Sequence, residues 1–498
     1  MKKPYYITTT LPYVNGDPHI GHALEFVQAD VLARWHRLKG EEVVFNTGTD
    51  EHGKKIADAA AAAGLDPQTY CDGFVPRFRE LQQVYNLTFT HFIRTTDPHH
   101  VAAAQEFWKR CDANGDIYKK TYQVKYCVGC ELEKTDSELV DGRCPIHPNR
   151  DIESIDEENY FFRWSKYGEA LLKHYEAHPD FVVPESRFHE IKNFVAGGLQ
   201  DFSISRLKEK MPWGIAVPGD ETQVMYVWFD ALVNYISTLG WPASGDFEKF
   251  WPGVQVAGKD NLRQQSAMWQ GMLLSAGLPM SKQIFIHGFI TADGQKMSKS
   301  LGNVVDPFAL ATTCGADAAR YFLASLPSYE DGDYSKKHFE ETYTSKLVNG
   351  IGNLAARTAT MVEKYCGGKA PAVTDDRFET PAFWKEYEAA LTAYRFDEAM
   401  RVLERYVTTV NQAIDIEAPF KKAKLGEDVS PFMYQIAEAL RHIGTALLPV
   451  IPDGAEKILA QLSIDPASVV LPDAQAWGGL TPGASVKKGE ILFPRLAS

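Results

Sequence analysis

The chain has 498 residues with a formal net charge of −13, and 45% of its residues are hydrophobic while 23% are charged. These values are ordinary for a soluble globular protein, and the length predicts two to four domains because one core rarely serves more than about 250–300 residues. No apolar run approaches the roughly 18 residues of a membrane span, and the N-terminus is too polar for a signal peptide, which favours a cytoplasmic protein without a membrane partner. The negative charge does not exclude nucleic acid, because a local basic stripe is enough to bind a polyanion.

The first segment alternates between strand and helix patterns. Residues 5–10 and 42–46 are rich in β-branched and aromatic side chains, which predicts two strands. Between them apolar residues recur at helical spacing from Leu24 to Trp35, and residues 54–63 form an alanine-rich second helix. Strand, helix and strand in this order make a βαβ unit, so we predict a parallel sheet.

The pattern changes at residues 116–215, where short strands, turns and a cysteine cluster predict an inserted domain. Alternation resumes with a strand at 223–228 and a helix through Tyr235, followed by strands at 254–257 and 283–287. After the last of these strands the chain becomes helical. We therefore predict an α/β fold made of the first half of a parallel-sheet domain, the insertion, the second half of that domain and an all-α domain, at residues 1–115, 116–215, 216–335 and 336–498.

Three of the seven cysteines fall close together, and a histidine follows the last of them. Cys127 and Cys130 form one closely spaced pair, and Cys144 and His147 form a second pair after 13 intervening residues. Each short turn aims two ligands at one point, so the four residues predict a tetrahedral zinc site. Three thiolates and an imidazole leave no position for water, so we expect a structural zinc. The alternative is a group of buried free cysteines beside an unrelated histidine.

A candidate phosphate site lies where the first strand ends and the first helix begins, at His19-Ile20-Gly21-His22. A helix N-terminus favours phosphate through its unpaired N–H groups and partial positive charge. Gly21 lets a nucleotide approach the backbone, and His19 and His22 can donate hydrogen bonds to phosphate oxygens. Taken alone, a pair of capping or packing histidines is the simpler interpretation.

The phosphate-binding interpretation is strengthened by a second segment, Lys296-Met297-Ser298-Lys299-Ser300. It follows a turn, so we expect its two lysines to lie on a mobile loop that closes on a triphosphate. A specified pentapeptide occurs by chance in a chain of this length with a probability on the order of 10⁻⁴. The alternative is an ordinary basic surface loop.

Together the two segments resemble the signature sequences of class I aminoacyl-tRNA synthetases, and the resemblance extends over essentially the whole chain. It implies a Rossmann-type catalytic domain that binds ATP at the carboxyl ends of its strands. It further implies that His19 and His22 steady the reacting phosphate, while Lys296 and Lys299 clamp the triphosphate together with Mg²⁺. Catalysis would then consist of alignment and charge neutralisation, because a carboxylate that attacks phosphorus needs no strong base. The implied ATP-binding residues are His19, Gly21, His22, Lys296, Ser298 and Lys299.

Shorter matches resemble the methionine site of methionyl-tRNA synthetases. Asp50 matches the carboxylate that holds the substrate ammonium group, and a buried carboxylate needs such a partner. Aromatic faces suit a polarizable thioether. Where many family members have an aromatic–histidine pair this chain has Gln264 and Gln265, and Gln265 can form hydrogen bonds but cannot titrate. The implied methionine-binding residues are Leu11, Tyr13, Asp50, Trp228, Ala231, Leu232, Tyr235, Gln265 and Trp269.

The insertion distinguishes related synthetases. Its zinc knuckle resembles the connective insertion of methionyl-tRNA synthetases, whereas the enzymes for isoleucine, valine and leucine carry a much larger editing insertion. The cysteinyl enzyme uses zinc to bind the substrate thiol, but here His147 already fills the fourth ligand position.

The helical region resembles the part of the family that reads the anticodon. Asn353 and Arg357 lie four residues apart on one helix face, and Phe420 stands where members commonly have a tryptophan that stacks on a base. The resemblance implies tRNA(Met), L-methionine and ATP as partners. The C-terminal end resembles short members that lack a dimerising domain, which implies a monomer.

The activity implied is two-step aminoacylation. Methionine and ATP give methionyl-adenylate and pyrophosphate, and methionine then passes to the 3′-terminal adenosine of tRNA(Met). Two alternatives are an RNA-binding paralogue without catalysis and an adenylating enzyme that uses no tRNA.

Overall fold

A computed structural model describes residues 2–134, 136–243, 245–297 and 302–496. The strands are β1 (Pro4–Thr9), β2 (Glu42–Thr49), β3 (His91–Arg94), β4 (Ile117–Cys127), β5 (Leu132–Lys134), β6 (Glu153–Phe162), β7 (Val182–Val183), β8 (Phe202–Ser203), β9 (Ser205–Leu207), β10 (Ala216–Val217), β11 (Asp220–Met225), β12 (Val254–Gly258), β13 (Gln283–His287), β14 (Ile290–Ala292), β15 (Gln295–Lys296) and β16 (Gly332–Tyr334).

The helices fall into two groups along the chain. Up to the end of the sheet strands they are α1 (Ile20–Leu38), α2 (Lys54–Ala63), α3 (Pro67–Val84), α4 (Pro98–Ala113), α5 (Gly168–Ala177), α6 (Glu185–Ala196), α7 (Val227–Ala231), α8 (Asn234–Ser237), α9 (Phe247–Phe250) and α10 (Trp269–Ser275). The second group is α11 (Pro307–Cys314), α12 (Ala316–Ser325), α13 (Lys336–Thr342), α14 (Asn353–Cys366), α15 (Thr380–Thr392), α16 (Phe396–Glu417), α17 (Pro419–Lys424), α18 (Ser430–Leu447) and α19 (Pro452–Gln461). Two π-helical segments cover Gln264–Met268 and Tyr343–Gly352.

The central sheet has six parallel strands in the order β3-β2-β1-β12-β13-β7. This confirms the parallel sheet and four of the five strands predicted for the alternating pattern. From β1 the chain continues to one side through β2 and β3, and from β12 it continues to the other side through β13. The direction therefore reverses between β1 and β12, and in such sheets ligands bind at the carboxyl ends of the strands at this point.

Alternate strand residues build a core on each face of the sheet. Ile7, Phe45 and Phe285 are buried in one core with α1 and the C-terminal helices. Tyr6 and Ile284 point the other way, into a core with α4 and α10. Both faces are covered, as a parallel sheet requires.

The strand predicted at residues 223–228 is wrong in its end and in its partners. The strand β11 stops at Met225, and the amide of Phe229 donates to the carbonyl of Tyr226 to begin a helical turn. The strand pairs antiparallel with β9 and β10 and does not join the central sheet. A short apolar run fits a strand or a buried helix equally well, so periodicity could not place this boundary.

Residues 116–215 contain an antiparallel sheet of order β5-β4-β6-β8 that carries the cysteine cluster. The same range also supplies β7, which pairs with β13 at the edge of the central sheet. Part of the range predicted as an insertion thus completes the parallel sheet. Among the described residues, every helix is too short or too polar to span a bilayer.

Candidate active site and metal centre

The two predicted histidines stack at the start of α1. Their ring centroids are 3.8 Å apart with an interplanar angle of 18°. The backbone amide of His19 donates to Nδ1 of His22 at 3.1 Å, and the amide of Gly21 donates to Nδ1 of His19 at 3.2 Å. Because each Nδ1 accepts, a neutral ring at either position carries its proton on Nε2.

Burial and the stacked ring also set the charge of His22. Burial and the neighbouring His19 hold the pKa of His22 well below its ordinary value. His22 is therefore neutral at physiological pH and can offer one hydrogen bond through Nε2 to an anionic oxygen.

The helix start differs from the prediction in one respect. The first amides are not unpaired, because the amide of Ile20 donates to the carbonyl of Val305 at 3.1 Å and that of Gly21 donates to His19. The histidines cap the helix themselves, so phosphate contacts would come from the ring nitrogens and the helix dipole. The bond to Val305 also places the start of α1 directly against the chain that follows the lysine-bearing segment.

Lys296 lies at the end of strand β15, where the sequence predicts a loop. Asp293 and Gly294 have φ of 51° and 73°, which makes a tight hairpin turn, and Thr291 pairs with Lys296 across it. An Asp-Gly pair is a strong hairpin signal that the sequence interpretation missed. Lys296 itself is exposed. The other residues predicted in this segment, Ser298 and Lys299, lie outside the described residues.

A buried acid–base pair between α1 and β13 was not predicted. Glu25 Oε2 is 3.0 Å from Nε2 of His287, and Glu25 Oε1 accepts from the amide and hydroxyl of Thr10 at 2.7 and 2.6 Å. Burial by itself would lower the pKa of His287, but Glu25 and the Gly288 carbonyl raise it above its ordinary value. The pair joins the ends of β1 and β13 to α1. A glutamate within the apolar stripe of α1 was the available signal.

Asp50 follows β2 and is 6% exposed, with Oδ1 lacking a hydrogen-bond partner among the described residues. Burial, together with the carboxylates of Asp230 and Glu131, raises its pKa well above the ordinary value. An isolated buried carboxylate is costly, so this position requires a cationic ligand or a proton.

Asp230 shows the opposite arrangement. It is fully buried, but His52 Nδ1 lies 3.0 Å from one carboxylate oxygen and His100 Nε2 lies 3.7 Å from the other. Burial would raise the pKa of Asp230, yet these two histidines hold it below its ordinary value. Oδ1 of both aspartates has no hydrogen-bond partner among the described residues, but Asp230 lies beside two histidines, whereas the charged groups that act on Asp50 are carboxylates.

Two of the predicted aromatic residues are in contact. Tyr235 and Trp269 are buried and meet edge to face with centroids 5.9 Å apart. Trp228 is half-buried, and the ring nitrogens of Trp228 and Trp269 have no hydrogen-bond partner among the described residues. Gln265 lies in a π-helical segment and donates from Nε2 to Tyr235 Oη at 2.8 Å. Such segments are rare and occur often at functional sites. Three further members of the predicted set are half-buried or buried: Leu11, Ala231 and Leu232.

Tyr13 connects this region to the metal cluster. Its hydroxyl donates to the carbonyl of His52 at 2.7 Å and lies 2.9 Å from Glu131 Oε1. Glu131 directly follows Cys130 and is 4% exposed. A Cβ on Gly53 would lie 2.4 Å from the Tyr13 hydroxyl, so only glycine fits beside this contact. No motif identified Glu131 from the sequence.

The four predicted metal ligands converge, with one donor atom from each lying within 4.8 Å of all the others. The Sγ of Cys130 is 3.5 Å from Sγ of Cys144 and 3.3 Å from Nδ1 of His147. Tetrahedral ligands at about 2.1–2.3 Å from zinc lie about 3.4–3.8 Å from each other, so these spacings fit. A Cβ on Gly129 would lie 2.4 Å from the His147 ring, so a glycine is needed there. The cluster, which includes Cys127, can hold a metal ion.

The residues predicted at the tRNA end are exposed or half-buried. Asn353 and Arg357 lie on α14, and Arg357 Nη2 donates to Asp415 Oδ1 at 2.6 Å near the end of α16. Phe420 lies on α17, directly after α16, and is 44% exposed. The structure therefore brings these three residues to neighbouring helices of the all-α region.

The comparisons agree with this fold. A family model described as tRNA synthetases class I (M) matches residues 5–156 and 148–359. This defines the class as a class I tRNA synthetase.

Individual relatives identify the family within this class. A methionine–tRNA ligase from Thermosynechococcus vestitus is 43% identical over 100% of this chain and 98% of its own length, and one from Streptomyces coelicolor is 42% identical over 99% and 97%. The crystal structure of Mycobacterium tuberculosis methionyl-tRNA synthetase bound by methionyl-adenylate is 37% identical, with a TM-score of 0.93 over 99% of this chain and 100% of that one. The chain therefore belongs to the methionine–tRNA ligase family.

Proposed function

We propose that the protein activates L-methionine with ATP and transfers it to the 3′-terminal adenosine of tRNA(Met). The observation that supports this most strongly is the buried carboxylate of Asp50 at the carboxyl end of β2, which has carboxylates as its charged neighbours and an Oδ1 without a hydrogen-bond partner among the described residues. The α-ammonium group of an amino acid supplies the positive charge that this carboxylate lacks. Membership of the methionine–tRNA ligase family supports the choice of amino acid.

In the first step the methionine carboxylate attacks the α-phosphorus of ATP, and pyrophosphate leaves with the electron pair of the broken P–O bond. His19 and His22 donate from Nε2 to the phosphate oxygens, and Lys296, with Lys299 and Mg²⁺, neutralises the triphosphate charge. The residues supply alignment and charge, and no protein group has to accept a proton. In the second step a ribose hydroxyl of the tRNA attacks the methionyl carbonyl, AMP leaves with the electron pair of the broken acyl C–O bond, and its phosphate takes up the proton that the hydroxyl loses.

We assign Zn²⁺ to Cys127, Cys130, Cys144 and His147. Zinc bound there has four protein ligands and no open position, so it stabilises the fold and takes no part in the chemistry. The knuckle positions Glu131, which borders the amino-acid pocket through Tyr13.

We further propose that the all-α region, with its boundary at residue 336, binds the anticodon through Asn353, Arg357 and Phe420. The exposed ring of Phe420 supports stacking on a base. The monomeric state and the cytoplasmic location stay predictions, and light scattering on the purified protein tests the first.

ATP–pyrophosphate exchange measured with each of the twenty amino acids tests the activity. We expect exchange with methionine at least a hundredfold faster than with any other, and charging of tRNA(Met) in the same preparation. Equal exchange with several amino acids would refute the assignment of methionine. Exchange without charging would favour an adenylating enzyme that uses no tRNA.

A further inference from the structure

A chain of buried polar side chains leads away from the amino-acid pocket. Gln270, Ser281, Gln255 and Gln265 are each at most 4% exposed, and the chain ends at the hydroxyl of Tyr235. We call these four residues the amide relay. Three amides in an apolar core are unusual, because each must satisfy both a donor and an acceptor.

The direction of the hydrogen bonds is fixed at the far end of the relay. The backbone amide of Ser281 donates to Gln270 Oε1 at 3.0 Å, and Gln270 Nε2 donates to the backbone carbonyl of Gln265 at 2.7 Å. A backbone N–H can only donate and a backbone carbonyl can only accept. The Gln270 amide therefore has one possible orientation, although amide orientations are often ambiguous.

The orientation of the Gln270 amide determines the orientations of the Gln255 and Gln265 amides. Gln270 Nε2 donates to Ser281 Oγ at 3.1 Å, and Ser281 Oγ donates to Gln255 Oε1 at 2.5 Å. With its oxygen engaged, Gln255 donates from Nε2 to Gln265 Oε1 at 3.0 Å. Gln265 then presents Nε2 to Tyr235 Oη at 2.8 Å. The Tyr235 oxygen thus accepts from the relay, and its own proton points elsewhere.

We propose that the amide relay is a positioning element for side-chain specificity, which keeps the Tyr235 O–H directed into the amino-acid pocket. A hydroxyl proton held there favours a substrate side chain with an acceptor atom, such as a thioether sulfur, over a hydrocarbon of the same length. The inference rests on the proposed activation of methionine. It assigns a role to Gln265 together with three residues that line no part of the predicted pocket.

The packing around Tyr235 supports a directed hydroxyl. Its ring lies edge to face with Trp269, and its backbone carbonyl accepts from the Tyr6 hydroxyl at 2.9 Å. After burial, the carboxylates of Glu25 and Asp50 are among the groups that raise the pKa of Tyr235, so the hydroxyl lies within electrostatic range of the predicted ammonium site.

Gln255→Glu provides the sharpest test because it reverses the relay without touching the substrate. A glutamate accepts from Ser281 but cannot donate to Gln265. The Gln265 amide should then turn its nitrogen towards residue 255 and its oxygen towards Tyr235, which would draw the Tyr235 proton out of the pocket. The companion variants are Gln255→Leu, which removes the amide group of residue 255 with little change in volume, and Ser281→Ala, which removes the hydroxyl group.

The measurement is the ratio of kcat/KM for methionine to kcat/KM for norleucine in pyrophosphate exchange. We expect each relay variant to lower this ratio at least about fivefold, the effect of one lost hydrogen bond. Gln461→Glu, which puts a carboxylate at a buried site in α19, should leave the ratio unchanged. A purely structural defect would lower both rates equally.

An unchanged ratio in folded Gln255→Leu and Ser281→Ala proteins would overturn the relay. If Gln255→Glu does not fold, these two variants carry the test. A wild-type protein without methionine-dependent exchange would refute the proposed function itself, whereas an active wild type with insensitive variants would refute the relay alone.

Discussion

At the scale of single residues, two buried aspartates differ in the charged groups that surround them. Asp230 and Asp50 are both removed from water and each has an Oδ1 without a hydrogen-bond partner among the described residues, but His52 and His100 lie beside Asp230, whereas Asp50 is surrounded by carboxylates. A charge left without compensation in a stable fold indicates a place where a ligand supplies it. The sequence motif suggested Asp50, and the burial gives the physical reason.

Replacing Asp50 with asparagine should lower kcat/KM for methionine at least about a hundredfold, because the substrate ammonium loses a buried ionic partner worth roughly 3 kcal/mol or more. The loss should appear mainly in KM for methionine and leave KM for ATP within about threefold. Steady-state pyrophosphate exchange measures both constants. Asp58→Asn, on the exposed face of α2, is the matched control, and equal effects of the two substitutions would remove Asp50 from the site.

At the scale of elements, the site is assembled from segments that are remote in sequence. The start of α1 contacts the chain after the lysine-bearing hairpin through Ile20 and Val305, and Glu25 ties the same helix to β1 and β13. The metal knuckle reaches the pocket through Glu131 and Tyr13. These contacts explain how a structural metal can influence the amino-acid site.

One zinc per chain is expected by mass spectrometry of the metal content. Cys144→Ser should lose most of this zinc and raise KM for methionine, because the knuckle no longer holds Glu131 beside Tyr13. Cys366→Ser, in the helical region, should keep the zinc and the wild-type KM. Full zinc content in Cys144→Ser would contradict the ligand assignment.

Elements with a strong local sequence pattern could be predicted, and elements with a weak pattern could not. The central strands were predictable because β-branched runs and helical spacing alternate clearly, and the metal ligands because their spacing constrains geometry. The end of β11 was not predictable, because a short apolar run is compatible with both a strand and a buried helix. The pairing of Glu25 with His287 depends on tertiary contact across the sheet, which no local pattern contains. The self-capping of His19 and His22 likewise required the backbone geometry.

At the scale of the whole molecule, α1 joins the catalytic sheet to the helical region. Arg320 is fully buried and lies 2.8 Å from Asp30 of α1, and it donates to the carbonyls of Pro449 and Val450 between α18 and α19. The helix that begins with the two histidines is thus braced against the all-α region by one guanidinium group.

The same junction predicts a pH dependence of stability. Burial raises the pKa of Asp317 to about 6, although the amide of Gly454 donates to it at 2.6 Å. The folded protein therefore binds this proton more tightly than the unfolded chain, and the contribution to stability is present at low pH and lost as pH rises from about 4 to about 6. Asp317→Asn cannot ionise, so it avoids this loss of stability as pH rises, and its side-chain oxygen can still accept from the amide of Gly454.

Denaturant unfolding of wild type and Asp317→Asn at pH 4.5 and pH 8 checks this prediction. The variant should be more stable at pH 8, by up to about 3 kcal/mol, and show a smaller difference at pH 4.5. Asp473→Asn, an exposed site, should show neither change. A variant less stable than wild type at pH 8 would contradict the raised pKa.

Substitution of Phe420 tests the other end of the molecule. Phe420→Ala should raise KM for tRNA(Met) about tenfold through the loss of base stacking, and methionine-dependent pyrophosphate exchange without tRNA should not change. Ile491→Ala, which removes an exposed apolar side chain from the C-terminal segment, is the control. A wild-type KM in Phe420→Ala would exclude the stacking role.

We expect the start of α1 and the lysine-bearing hairpin together to hold ATP beside a bound methionine. Rapid-quench measurement of methionyl-adenylate in a single turnover, with methionine, ATP and Mg²⁺ but no tRNA, tests it most directly. The wild type and the Lys336→Ala control should form about one adenylate per chain, and Lys296→Ala should form it at least about tenfold more slowly, a loss of about 1.4 kcal/mol in the transition state. Absence of adenylate in the wild type, or an unchanged rate in Lys296→Ala, would contradict the account.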